Sequence, residues 1–77
     1  MRDKITKIFI DRFGLDESIV EKANIIKEGY ISSIDVVTLI CELEKNFEIS
    51  INDNEINEDN LGNLEKIEFF VNKKLNK

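Results

Sequence analysis

The chain has 77 residues, with 11 Lys and Arg against 16 Asp and Glu, no His, and a formal charge of −5. That charge disfavours nucleic acid and anionic membrane surfaces as partners, and the absence of His beside a single cysteine, Cys41, excludes a Cys/His zinc site and an intrachain disulfide. One domain, residues 1–77, is expected; a domain this small buries only about 60% of its unfolded surface, which leaves little room for a catalytic cleft.

The spacing of Ile5, Ile8, Phe9 and Phe13 predicts a helix over residues 3–13, with Asp3 as a possible cap and Gly14 as its stop. Residues 14–31 form a long connection with room for one helical turn after Asp16. Ile19, Val20, Ile25, Ile26 and Tyr30 are expected to pack it down, and Gly29 suits a turn with positive φ. Residues 33–47 are the strongest helix. A short extended turn, EISIND, follows Phe47, and residues 53–59 read as one short helix. Residues 64–75 form the last helix, capped by Asn63, with Leu64, Ile67, Phe70, Val71 and Leu75 inward. The expected fold class is all-α: a small four-helix bundle of three main helices and one short one.

The third segment opens with two serines. Ser32 and Asp35 stand at the spacing of a capping box, and Ile31 and Val36 at that of a hydrophobic staple. Ser32 is then the N-cap, and Ser33, the first helical residue, has no capping duty. Its hydroxyl lies where free N–H groups and the helix dipole favour an anion such as phosphate; local chemistry alone favours the plainer reading, a serine that is merely tolerated there, since such spacings occur often by chance. No His serves Ser33 as a base and no Gly-x-Ser-x-Gly elbow is present, so it is not a nucleophile of the hydrolase kind. At about 100° per residue, Val36, Leu39, Ile40, Leu43 and Phe47 gather on a core face. Ile34, Val37 and Cys41 form an outer apolar strip beside Ser33, near Thr38, Glu42 and Lys45. Such a strip is either ordinary exposure or a docking surface with an acidic rim.

Gly29-Tyr-Ile-Ser-Ser-Ile-Asp35, then VVTLICELEKNFEISI and NDNEINEDNLGNLEKIEFFV, together resemble the acyl carrier protein family over nearly the whole chain. In that family a helix introduced by Gly-x-x-Asp-Ser-Leu closes on Phe-x-Ile-x-Ile. The resemblance implies a non-catalytic carrier with 4′-phosphopantetheine attached covalently to Ser33 from coenzyme A by a phosphopantetheinyl transferase. The arm would carry acyl or aminoacyl groups as thioesters in fatty-acid, polyketide or nonribosomal-peptide biosynthesis. Further implied partners are loading ligases, synthases or transferases with basic docking patches. Asp35, Glu42 and Glu44 would steer them, while Ile34, Val37 and Cys41 make the apolar contact. Two departures stand out: Ser32 replaces the usual Asp, keeping the cap without the charge, and Thr38 and Lys45 occupy positions commonly Glu. The second favours a specialised pathway.

DNEINEDNLGNLE is not a calcium loop. From Asp53, Glu58 stands where Gly is needed and Leu64 where Glu is; from Asn57, Leu61 fills a ligand position. Cys41, flanked by Glu42 and Glu44, is expected to pack or dock, not to react. The apolar residues of the N-terminus are broken by charges, unlike a signal peptide, and no apolar run approaches a membrane span. A free-standing, cytoplasmic monomer is the expectation. The alternative is a small helical adaptor that binds a partner through the same strip without any prosthetic group.

Overall fold

The computed structural model describes residues 1–76. In chain order it contains α1 (Arg2–Phe13), α2 (Glu17–Lys22), α3 (Ser33–Phe47), a single 3₁₀ turn (Asp53–Glu55), α4 (Glu58–Leu61) and α5 (Leu64–Leu75). α5 packs against α1, α3, α2 and α4, and α1 against α2 and α3. The all-α bundle expected from the sequence is therefore present, with three long and two short helices.

The core is drawn from every α-helix. Ile5, Ile8 and Phe9 come from α1, Val20 from α2, Leu39, Ile40 and Leu43 from α3, Leu61 from α4, and Leu64, Ile67, Phe70 and Val71 from α5. The connections add Ile25, Ile31 and Ile51. This is one stripe per helix at 3.6-residue spacing, closed by apolar residues from the loops.

α1 starts one residue earlier than expected. The Lys4 and Ile5 N–H groups donate to the Met1 carbonyl at 3.1 and 3.2 Å, so Met1 holds the cap position without a side-chain bond. Asp3 is not the cap; it sits in the first turn, where a negative charge complements the helix dipole. The long connection does fold down. Ile25 is fully buried, and its N–H donates to the Gly62 carbonyl at 2.8 Å, pinning the loop to the α4–α5 junction. Tyr30, however, is 41% exposed and does not pack as expected. It lies in the bend between Gly29, at φ 78°, and Ile31, and at this bend Ile31 is the side chain taken into the core while Tyr30 faces solvent.

The segment 53–59 is two elements, not one helix. Asn57 is extended, and its side-chain oxygen accepts the Asn60 N–H at 2.9 Å, starting α4 afresh after the 3₁₀ turn. The Asn60 side chain then donates to the Glu55 carbonyl at 2.9 Å and ties the two pieces together. Asn63 caps α5 as expected, accepting the Lys66 N–H at 2.8 Å. Leu75 is exposed instead of inward: it lies one turn beyond Val71, where it lines a groove with Lys74 and the connection around Ile49.

Candidate functional site

α3 begins with the reciprocal bonds of a capping box. Ser32 Oγ accepts the Asp35 N–H at 3.2 Å, and Asp35 Oδ2 accepts the Ser32 N–H at 3.0 Å. Ile31, buried just before the cap, and half-buried Val36 flank this start on one side. Gly29 in the left-handed region turns the chain into that approach. Ser33 is therefore the first helical residue, exposed, and among the described residues no side-chain hydrogen bond engages its hydroxyl.

Beside Ser33 lies a cavity of about 410 Å³. Its walls are the apolar side chains of Ile26, Ile31, Val36, Ile40 and Ile56, and Ser33, Val37 and Glu58 also line it. α3 supplies one wall, the long connection a second, and the segment between the 3₁₀ turn and α4 a third. Sequence reasoning did not assign Ile26 or Ile56 to the site. The available signal was Ile56 itself, a lone apolar residue in the polar run NDNEINED.

The outer strip is where the periodicity places it. Ile34 is 78% and Val37 63% exposed, and Cys41 is an exposed free thiol. Thr38 is half-buried and Lys45 exposed on the same side of α3. The three acids of the helix are all engaged inside the fold. Asp35 completes the capping box. Glu44 Oε2 accepts the Ile51 N–H at 2.9 Å and fastens the connection after α3. Glu42 Oε2 lies 2.6 Å from Arg12 Nη2 of α1, and its other oxygen accepts the Asn46 side chain at 3.3 Å.

The chain matches the family model of the phosphopantetheine attachment site over residues 3–67, most of its length. It belongs to that family. No solved structure matches the chain significantly. The protein is thus a carrier domain of acyl carrier protein type, and the family's group is 4′-phosphopantetheine, bound covalently.

The start of α3 fits such a group. The first N–H groups of a helix lack intrahelical acceptors. Asp35's is taken by Ser32 Oγ, which leaves those of Ser33 and Ile34 without an acceptor among the described residues, as an anion at a helix start requires. When attached, the group supplies a terminal thiol that holds an acyl chain as a thioester. At the start of α3 this chain offers an exposed serine hydroxyl, a helix N-terminus and an apolar trough. Among the described residues no helix is long and apolar enough to cross a membrane.

Proposed function

We propose that Ser33 is the attachment residue and that the protein carries acyl or aminoacyl intermediates as thioesters for a specialised biosynthetic pathway. The observation that carries this reading is the division of labour at the start of α3. Ser32 does the capping, so the Ser33 hydroxyl stands exposed and unbonded beside an apolar cavity. In the attachment the Ser33 oxygen bonds to the pantetheine phosphorus of coenzyme A, the phosphoanhydride bond breaks, the adenosine bisphosphate leaves and the hydroxyl proton is lost.

The domain carries and does not catalyse: Ser33 has no base, and a phosphopantetheinyl transferase supplies the chemistry. Loading and unloading enzymes meet α3 beside Ser33 through Ile34 and Val37. The cavity walled by Ile31, Val36, Ile40 and Ile56 suits an apolar portion of the cargo. Thr38 and Lys45 on the outward side of α3 favour a polyketide, nonribosomal-peptide or other dedicated pathway over general fatty-acid synthesis. An exposed free thiol at Cys41 fits a reducing, cytoplasmic setting.

The test is intact mass after incubation with coenzyme A and a broad-specificity transferase, with Ser33→Ala, Ser18→Ala and Ser50→Ala alongside. Gain of one phosphopantetheine by every protein except Ser33→Ala is expected. Gain by Ser33→Ala would overturn the site, and no gain by any of them would favour the unmodified adaptor.

A further inference from the structure

Glu42 is the acidic residue best placed to meet a partner on the middle of α3, yet its side chain is only 14% exposed. Arg12, 54% exposed, reaches across from the last turn of α1 and puts Nη2 2.6 Å from Glu42 Oε2. Asn46 takes the other oxygen. A cation arriving from a partner must displace a guanidinium already in place, and Arg is the strongest competitor for a carboxylate among side chains. The remaining acids of α3 are turned to Ser32 and Ile51. What α3 offers outward is Ile34, Val37, Thr38, Cys41 and Lys45.

We propose that Arg12 is a specificity-determining residue: an internal counter-ion that occupies the place of a partner's Lys or Arg, so that this carrier docks through Ile34 and Val37 onto enzymes whose contact patch is apolar and free of a cation cluster. This replaces the basic patches that the residue types alone suggested. It rests on the reading that partners meet α3 beside Ser33. Charge matching supports this occupant. With Glu42 paired to Arg12 and Lys45 exposed, the middle of α3 offers a cluster of Lys and Arg little attraction beyond the charges that Asp35 and Glu44 keep at its ends, whereas an apolar pocket gains the burial of two well-exposed aliphatic side chains. Association then responds less to salt than it would with Glu42 unpaired, since a pre-paired charge gives little long-range steering.

Two measurements test this. The first needs neither modification nor a partner: line-broadening of backbone amides in residues 34–45 by a cationic and by an anionic nitroxide. In the wild type the two are expected to broaden residues 38–45 about equally despite the negative net charge, and in Arg12→Gln the cationic probe is expected to dominate there. An equal cationic excess in both proteins overturns the proposal. The second is kcat/KM for phosphopantetheine transfer against sodium chloride, using a transferase with a basic contact patch. The wild type is expected to vary less than about twofold, while Arg12→Gln is several-fold faster at low salt and converges on the wild type at high salt. Identical, steeply falling curves overturn the proposal. Modification of neither protein refutes the Ser33 reading, and the nitroxide result then decides the fate of Arg12 by itself. Arg12 lies outside the core, so both proteins are expected to melt together.

Discussion

Ser32 and Asp35 each hold the other's backbone amide, at 3.2 and 3.0 Å, and so close the start of α3 without using Ser33. Ser32→Ala is expected to lose about 1 kcal/mol of stability, within the 0.5–2 kcal/mol range of lost N-caps. Ser32→Asp, which retains an acceptor and adds a charge favoured by the dipole, should recover it. Ser33→Ala should change stability by less than about 0.5 kcal/mol, as expected for an exposed side chain with no fold contact. Urea denaturation of the three variants checks the order; a Ser33→Ala loss as large as that of Ser32→Ala would show that Ser33 is part of the cap.

Ile25 joins the long connection to the far end of the bundle, with its side chain fully buried and its N–H on the Gly62 carbonyl. Ile25→Ala is expected to cost about 2–5 kcal/mol, the range for deleting a large buried aliphatic group. That is a large part of the roughly 4–10 kcal/mol available to a domain of this length. Thermal melting should show the loss, and faster hydrogen exchange at residues 25–31 should show that the connection loosens.

Gly29 and Gly62 resist substitution for different reasons. A Cβ at Gly29 meets nothing within 4 Å, but φ is +78°; a Cβ at Gly62 falls 2.5 Å from the Glu58 carbonyl oxygen. Gly29→Ala is expected to cost about 1–2 kcal/mol of backbone strain, and Gly29→Asn less, because Asn tolerates the left-handed region. Gly62→Ala is expected to cost about 1–3 kcal/mol by crowding, and Gly62→Asn no less. Chemical denaturation of the four variants distinguishes strain from crowding by whether Asn rescues.

Lys74 Nζ lies 2.6 Å from Glu55 Oε1 across the gap between α5 and the 3₁₀ turn. This hydrogen bond, helped by the one that Asn52 N–H donates, holds the Glu55 carboxyl below the usual glutamate range. The folded protein therefore releases this proton at lower pH than the unfolded chain. The stabilisation is complete above the ordinary glutamate value and fades as pH falls through the lowered one. Lys74→Met should raise the Glu55 midpoint in a carboxyl-detected NMR titration and make stability less sensitive to acid between about pH 5 and 3. An unchanged midpoint would show that Lys74 does not set it.

Much of α1, α3 and α5 was legible before any coordinates because the controlling interactions are local. Ser32 and Asp35, and Asn63 and Lys66, are each three residues apart, and the inward positions of α3 recur every three or four. Such bonds form in any chain that makes the turn, so residue type and spacing announce them. The break at Asn57 was missed because DNEINED holds no Gly or Pro to mark it and several Asp and Asn that could each cap a helix, so only the cap geometry divides it. Tyr30 and Leu75 look like core residues by type; their exposure follows from which way a bend and a final helical turn happen to face. By itself the sequence determined the three long helices, the caps at Ser32 and Asn63, the freed Ser33 and the family resemblance. Tertiary structure alone decided that Ile25 bonds Gly62, that Ile56 walls the cavity beside Ser33, and that Arg12 covers Glu42. Those partners lie far apart along the chain and meet only when the helices pack, so no local pattern records them.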